Sequence, residues 1–334
     1  MMIINKIKPE KSKSKITANL SRFWLLYFTI LLIIIFGILK PAFFVPRNLL
    51  NILSSACLTG LAGMGITCIS AAGEIDFSIG AQVTFSAAMM GVVLKLPLFQ
   101  GKYILVLLLT LAAMVVFGLI NSFLHNKIGI PAFIATMGSS YVLQGIAKNL
   151  LEMKTLRADP AWPDCFTFLG QTYVGGIVPI SLIILVVVGA AMYFYTEYTC
   201  SGRYIFAVGV NANACKYLGI DSKIQKRKGF ILCAVLGGVT GILMGSMQNG
   251  ATITLGDDML FQALTALMLG ATLKKGVYNV AGTILGAVLI TIITFGVTML
   301  GAPPYVRDFT KGGILVISVT LVTILRSRSV KSVN

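Results

Sequence analysis

Two carboxylates, Glu74 and Asp76, lie in the stretch AAGEIDFSIGAQ (residues 71–82), between segments that are otherwise almost wholly apolar. A charge at the centre of a bilayer costs about 3 kcal/mol or more, so acids in this setting need a reason. They could mark a helix break at a membrane face, where Gly73 ends one helix and Asp76 caps the next. They could also line a polar path. The residues alone leave both interpretations open.

Other polar side chains fall in or beside apolar runs and could belong to the same path. Their amides and hydroxyls can hydrogen-bond a polar solute, although each could equally be a contact between helices. The candidates for a path or gate are Asp76, Ser78, Gln82, Gln248, Asn249 and Gln262. Asp257 and Asp258 are expected to cap the helix that follows them.

The sequence holds no pattern typical of an enzyme centre. It lacks the G-x-x-x-x-G-K-[ST] loop, so we expect no ATP site of that type on this chain. It has one histidine, His125, and no Ser-His-Asp set or cluster of metal ligands. Its six cysteines show no C-x-x-C spacing. We therefore expect no catalytic residue, no metal site and no cofactor bound by this chain.

The composition is that of a membrane protein. Of the 334 residues, 57% are hydrophobic and only 11% are charged, whereas a soluble domain carries about 25% charged residues. The net charge of +16 could suggest nucleic acid. However, the basic residues cluster between apolar runs and do not interleave with aromatic residues. We predict an all-α polytopic membrane protein whose surroundings are the lipid bilayer, with no nucleic-acid partner.

Ten apolar runs are close to the length of about 20 residues that a helix needs to cross a bilayer. The run at 259–273 is short and is expected to be tilted, broken or re-entrant. The first run is expected to be an uncleaved helix, because no cleavage site follows it. The runs cover residues 23–39, 50–72, 77–94, 103–124, 130–147, 177–196, 229–248, 259–273, 279–299 and 312–325.

The distribution of basic residues predicts the orientation. With the N-terminus inside, 18 of the 27 Lys and Arg residues fall on the inner side, as the positive-inside rule requires. We expect a multi-pass protein of the plasma (inner) membrane with both termini in the cytoplasm. Its predicted parts are a basic tail (1–22), one transmembrane domain (23–326) with an external loop (148–176) and a cytoplasmic loop (197–228), and a second tail (327–334).

Two patterns concern how the helices pack. Acids precede the third run on the inner face and the eighth run on the outer face, which would make runs two to five and seven to ten inverted repeats. Glycines at intervals of four residues let helix backbones approach closely, although they could instead form a flexible gate. These glycines are Gly237, Gly241, Gly245, Gly282 and Gly286.

Three stretches resemble the permease subunits of ribose-type sugar ABC importers. They are GEIDFSIGAQ (73–82), SGRYIFAVGVNANACKYLGI (201–220) and ALTALMLGATLKKGVYNVAGTILGAVL (263–289). They occur in the family's order and spacing, and with the connecting runs they cover roughly residues 45–325. The sequence departs from the family pattern at Glu74, where the family has a glycine, and around Lys274 and Lys275, where its glycine-rich turn is replaced.

The resemblance implies a role for the cytoplasmic loop. In such importers a short helix of the permease docks into a groove of a separate ATPase subunit. Residues 211–220 suit such a helix, because Asn211 can cap it and Gly219 can end it; a helix lying on lipid headgroups is the alternative. The implied coupling residues are Gly202, Arg203, Tyr204, Gly209, Asn211, Ala214, Tyr217, Leu218, Gly219 and Ile220.

The implied function is that of the transmembrane permease subunit of an ABC importer for a sugar or sugar-like solute. The implied partners are a cytoplasmic ATP-binding subunit that holds ATP and Mg, an external solute-binding protein, and a second permease subunit, identical or related. Alternatives are an ABC permease for branched-chain amino acids or nucleosides, and a self-sufficient secondary transporter coupled to an ion gradient. The last should place acids deep within its spans.

Overall fold

The computed structural model describes residues 15–157, 164–274 and 276–331, and it is 81% helical. The helices are α1 (Lys15–Leu39), α2 (Pro46–Ala71), α3 (Ile79–Lys95), α4 (Tyr103–Phe123), α5 (Ala132–Leu150), α6 (Asp164–Gln171), α7 (Ile180–Tyr198), α8 (Cys200–Val210), α9 (Ala212–Tyr217), α10 (Ser222–Met247), α11 (Met259–Ala271), α12 (Val280–Met299) and α13 (Pro304–Lys331). Antiparallel pairs join β1 (Leu156–Arg157) to β4 (Gly250–Ala251) and β2 (Tyr173–Val174) to β3 (Val178–Pro179).

The prediction of an all-α polytopic membrane protein is confirmed. Among the described residues, six helices are long and apolar enough to cross a membrane: α2, α4 with its continuation to Ile128, α7, α10, α12 and α13. Shorter apolar helices occur at Trp24–Leu39, Ile79–Lys95 and Met259–Lys274. Each of the ten predicted apolar runs overlaps one helix, whereas a count of ten crossings stays a prediction. Helix α1 begins inside the predicted tail, and residues 1–14 and 332–334 lie outside the described part.

Helices α2 and α10 form the centre of the bundle. Both are rich in small residues, which leave room for close neighbours and give the two helices moderate hydropathy for their length. Helix α2 packs against α10, α11, α12 and α7, and α10 packs against α2, α3 and α4. Helix α4 is more apolar, and few of its residues are buried. The small residues therefore face protein, and the large apolar residues of α4 face the surrounding lipid.

The glycines of α10 lie where α3 crosses it. Gly237 faces the side chain of Gln82, Gly241 faces the Val83 carbonyl, and Gly245 lies against α3 one turn further on. A methyl group at Gly241 would overlap the backbone of α3. Gly282 and Gly286 likewise lie against the backbone of α11. These positions fit the packing role and leave little free space for a gate at the same glycines.

Two short helices begin side by side inside the bundle. Gly73, at φ +90°, reverses the chain after α2. Near the start of α3, the Thr84 hydroxyl accepts a hydrogen bond of 2.9 Å from the backbone N–H of Gly256 in the segment before α11. A methyl group at Gly80 would lie 2.6 Å from the Gly256 carbonyl oxygen. The first turns of α3 and α11 therefore meet. The segment between α10 and α11 thus runs from the far end of α10, where β4 pairs with β1, to the start of α3.

The short lengths of α3 and α11 bear on the expectation that the third run crosses the membrane in full, which stays a prediction. Helix α3 has 17 residues and α11 has 13, or about 26 and 20 Å at 1.5 Å per residue. Both are shorter than the hydrocarbon thickness of about 30 Å. The expectation of a broken or re-entrant segment at 259–273 agrees with this geometry. Hydropathy alone could not reveal that the two helices start from a common level, because each run by itself looks like a short span.

The α3–α10 contact predicts that Gly241→Ala destabilises the protein. The added methyl group meets the backbone of α3, which cannot rotate away, so the helices must separate at a cost of about 1–3 kcal/mol. The measurement is the midpoint of thermal unfolding in detergent. Gly138→Ala in α5 is the matched control, because its methyl group would meet nothing within 4 Å. Equal midpoints for the two variants would contradict the close contact.

Candidate functional site

The carboxylate of Asp76 is fully removed from solvent in the turn between α2 and α3. Its Oδ1 accepts hydrogen bonds from the backbone N–H of Ser78 at 2.8 Å and from the Ser78 hydroxyl at 2.5 Å. The Gln82 amide donates to Oδ2 at 3.3 Å. In the described part of the chain no cation forms an ion pair with Asp76. Hydrogen bonds and the nearby start of α3 therefore take the place of a counter-ion.

The cluster extends from the start of α3 to α4. The Ser78 hydroxyl also accepts from the amide of Gln82 at 2.7 Å and from the amide of Asn121, on α4, at 3.2 Å. The opposite amide oxygens, Gln82 Oε1 and Asn121 Oδ1, are buried and have no hydrogen-bond partner within the described residues. Two free acceptors in a buried polar cluster can take hydrogen bonds from water or from a hydroxylated solute.

The capping predictions for the acids are wrong in detail. Ser78, not Asp76, occupies the N-cap position of α3, because an extra turn at Phe77 and Ser78 separates Asp76 from the helix. Asp258 does occupy the N-cap position of α11 but makes no capping hydrogen bond. Its carboxylate pairs with Lys311 at 2.6 Å instead. Lys311, whose side chain is only 15% exposed, competes successfully with the local backbone amides for this carboxylate.

Glu74 belongs to a second, separate cluster. Its Oε1 lies 2.5 Å from Lys226 Nζ and 3.2 Å from His125 Nε2. His125 Nδ1 lies 3.0 Å from the carbonyl oxygen of Ile130. The three side chains are about one-fifth exposed or less, so the contact is partly shielded from water. It joins the turn after α2 to the end of α4 and the start of α10. No local sequence pattern indicates this pairing, because the residues are far apart along the chain.

Helices α8 and α9 lie at the end of the bundle where α2 finishes and α10 starts; we call this end the α9 face. The side-chain oxygen of Asn211 (Oδ1) accepts a hydrogen bond of 3.0 Å from the backbone N–H of Ala214 and so caps α9. Gly219, at φ +76°, follows the helix. Tyr217 and Leu218 are 92% and 77% exposed. A capped helix with two exposed apolar side chains is a surface that suits a partner.

Helix α8 connects α9 to the turn that carries the acids. A methyl group at Gly209 would overlap the carbonyl of Ala71 and approach Gly73, so α8 touches the end of α2 directly. Gly202 is in close contact with the backbone of Tyr195 in α7. The remaining predicted coupling residues lie on the same two helices and their ends: Arg203, whose guanidinium donates to the Tyr198 carbonyl at 3.2 Å, the exposed Tyr204, and Ile220, whose N–H donates to Cys215 at 2.9 Å.

Gln262, in the first turn of α11, lines a cavity that extends to the end of α12 and the start of α13. Its Oε1 accepts from the hydroxyl of Thr59 at 3.1 Å. The cavity measures about 240 Å³ and lies between α2, α11, α12 and α13. Three threonines of α12 also line it, namely Thr291, Thr294 and Thr298. These threonines are not among the residues predicted from the sequence, although their intervals of three and four residues indicate one polar side of an otherwise apolar helix.

Gln248 and Asn249 lie apart from the other path candidates. Gln248 follows the last residue of α10, and Asn249 adopts φ +51° in the next turn. Both line a surface cavity of about 350 Å³ together with the β1 segment. Cys233, which lies beside Asp76, precedes Gln248 by 15 residues on α10, or about 22 Å along the helix. The structure therefore brings Asp76, Ser78 and Gln82 together, whereas Gln248 and Asn249 lie beyond the far end of α10 and Gln262 lies apart in the first turn of α11.

Comparisons with known proteins agree over most of the chain. The family model described as "Branched-chain amino acid transport system / permease component" matches residues 48–319. The chain is 29% identical to the probable ABC transporter permease protein YphD of Escherichia coli (strain K12), over 96% of this chain and 95% of that protein. It is also 29% identical to the autoinducer 2 import system permease protein LsrD of Enterobacter sp. (strain 638) and to the ribose import permease protein RbsC of Haemophilus influenzae, covering 88% and 87% of this chain and 90% and 89% of theirs. No solved structure matches.

The Asp76 cluster predicts that Asp76→Ala destabilises the fold. The change removes the acceptor for three donors and leaves them buried, at a cost of about 2–3 kcal/mol in the free energy of unfolding. Asp76→Asn keeps one acceptor oxygen and should lose less than half of that. Thermal unfolding in detergent measures both, with Glu152→Ala, at a side chain 79% exposed, as the control. Wild-type stability of Asp76→Ala would contradict the structural role of the carboxylate.

Proposed function

The chain belongs to the family of permease components of branched-chain amino acid transport systems, and from this premise we propose that it forms the solute path of an ABC importer. The chain is a multi-pass membrane protein of the inner membrane and a transport subunit rather than an enzyme. In the proposal, a separate ATPase with bound ATP and Mg drives transport, and an external binding protein delivers the solute. A second permease subunit, identical or related, completes the path.

The observation that carries the proposal is the exposed α9 and its connection to the buried acids. Tyr217 and Leu218 would dock into the ATPase, and α8 would transmit the movement of α9 to the end of α2 through the backbone contact of Gly209 with Ala71. Asp76 lies four residues after Ala72, the C-cap residue of α2. A displacement of α8 would thus bear on the segment from which α3 starts, and this offers a physical route from ATP hydrolysis to the path.

We further propose that the bundle is an inverted repeat with both termini in the cytoplasm. The contacts support a pairing of α2 to α5 with α10 to α13: α10 packs on α3 and α4, as α2 packs on α11 and α12, and α3 contacts α5 as α11 contacts α13. The α9 face is then cytoplasmic, which agrees with its many basic residues. The first turns of α3 and α11 would meet near the middle of the membrane, where inverted-repeat transporters hold their solutes.

The proposed solute is a sugar or a sugar-like molecule. Of the similar proteins, one is named an autoinducer 2 import system permease and another a ribose import permease. The cavity at Gln262 offers amide and hydroxyl groups and one nearby ion pair, which suit hydroxyl groups better than an aliphatic amino acid side chain. The small number of polar groups fits a path that binds weakly and leaves solute selection to the binding protein. A branched-chain amino acid is the alternative that the family description favours.

A secondary transporter coupled to an ion gradient is the rival function. Such a protein needs ionisable groups deep within its spans. Of the acids in the described segments, only Asp76 is fully buried, and its oxygens are engaged by Ser78 and Gln82. The exposed α9 would have no purpose in that mechanism. The ABC importer therefore accounts for both the exposed α9 and the engaged, buried Asp76, whereas the secondary transporter accounts for neither.

The docking proposal predicts that Tyr217→Ala with Leu218→Ala weakens binding of the ATPase by about tenfold or more, as is typical when central aromatic and aliphatic contacts are removed. Recovery of the ATPase with the tagged chain in a gentle detergent is the measurement. The control pair is Tyr305→Ala with Leu300→Ala, because these side chains are 62% and 43% exposed at the opposite end. Normal recovery with the α9 variant would exclude α9 as the docking helix.

The cavity predicts that Gln262→Leu lowers solute uptake about fivefold, the value of one lost hydrogen bond of about 1 kcal/mol, while ATPase recovery stays normal. Thr294→Val should act in the same direction. Thr320→Val is its matched control, because both hydroxyls donate to the carbonyl four residues earlier but Thr320 is exposed outside the cavity. Uptake in membrane vesicles distinguishes them, and an effect of Thr320→Val equal to that of Thr294→Val would remove the cavity from the path.

A further inference from the structure

A groove at the α9 face combines an apolar wall with a basic end. Its volume is about 680 Å³, and it lies between the end of α4 and the start of α10. The wall consists of α4 residues spaced at helical intervals on one side of the helix. Each is between 41% and 52% exposed. These residues are Val116, Leu119, Ile120 and Phe123.

The basic end is formed by three cations. Lys127 follows α4, and Lys223 and Arg227 lie one turn apart at the start of α10. All three side chains are exposed, and none has an ion-pair partner within the described residues. One acid, Asp221, also lines the groove, but its Oδ1 is engaged as a cap by the backbone N–H of Lys223 at 2.8 Å. The net charge of the four side chains is positive.

The two walls of the groove are fixed to each other. The Asn126 amide donates to the Ser122 hydroxyl at 3.0 Å and to the carbonyl of Lys223 at 3.1 Å, which joins the end of α4 to the first turn of α10. The cations are thereby held beside the last apolar turn of α4. This differs from a general basic surface, in which cations have no fixed relation to an apolar groove.

We propose that this groove binds an anionic phospholipid, with the acyl chains along α4 and the phosphate at Lys127, Lys223 and Arg227. The apolar wall is continuous with the exposed face of α4, the most apolar of the described spans, so a lipid reaches the site from the bilayer. Basic pockets between helices recognise anionic headgroups in this way. In the proposed topology the lipid belongs to the cytoplasmic leaflet; the binding itself does not depend on the transport function.

The lipid would brace the start of α10. Lys226, between two groove residues on the same helix, pairs with Glu74 in the turn after α2. A phosphate at Lys223 and Arg227 therefore lies one turn or less from the contact that holds the acid-bearing turn. The bound lipid should stabilise this end of the bundle against thermal unfolding, because a ligand that binds only the folded state raises its stability.

The test is retention of lipid by the full-length protein. The tagged chain is purified in detergent and incubated with phosphatidylglycerol or with phosphatidylcholine, and the lipid that stays bound is counted by native mass spectrometry. The variant Lys127→Gln, Lys223→Gln, Arg227→Gln removes the basic end. Each cation contributes about a fivefold effect, so phosphatidylglycerol affinity should fall about a hundredfold. The matched control is Lys40→Gln, Arg47→Gln, Lys102→Gln, three cations that are also exposed.

The proposal predicts that the wild type and the control variant prefer phosphatidylglycerol and that the groove variant does not. It also predicts that phosphatidylglycerol raises the unfolding temperature of the wild type more than that of the groove variant, measured against phosphatidylcholine for each. Free glycerol phosphate should displace nothing, because it lacks the acyl chains. Unchanged retention by the groove variant would overturn the proposal. Displacement of the bound lipid by glycerol phosphate would also overturn it. The same holds if the groove variant loses the ATPase or a second copy of the chain but keeps its lipid.

Discussion

A buried carboxylate without a counter-ion constrains the whole centre of this protein. Asp76 is fully buried before the start of α3, and only hydrogen bonds and the start of α3 stabilise the charged form of its carboxylate among the described residues. Those donors must be held in place, because a buried charge that loses its partners costs several kcal/mol. The glycines of α10 provide this rigidity, since they let α10 close over Gln82 and Val83 without intervening side chains.

The same packing explains why the protein can have both a sealed centre and a responsive surface. The contacts of α10 with α3 are backbone contacts and allow little adjustment. At the α9 face, by contrast, the turn that carries Glu74 is held to α10 and to the end of α4 by side-chain contacts, with Lys226 and His125. A force applied to α9 would therefore be taken up at the turn between Gly73 and Asp76 before the bundle itself deforms.

Much of the fold was predictable from the sequence, because lipid imposes a simple rule on composition. The apolar runs marked one helix each, Asn211 and Gly219 marked the ends of α9, and the spaced glycines lie in close helix contacts. The arrangement of the site was less predictable. The pairing of Glu74 with Lys226 and the meeting of Gly80 with Gly256 join residues more than 150 positions apart, and no local pattern encodes such contacts. The threonines of α12 were missed because hydroxyls in an apolar helix also bond to their own backbone.

The most direct test of the importer mechanism is the energy source of transport. Proteoliposomes would contain the chain, its ATPase subunit and the second permease subunit. The binding protein and a labelled solute would be added on the side opposite to the α9 face. The importer mechanism predicts uptake that requires ATP and the ATPase on the side of the α9 face and that persists when ionophores collapse every ion gradient. Uptake by the chain alone, abolished by an ionophore and indifferent to ATP, would contradict it.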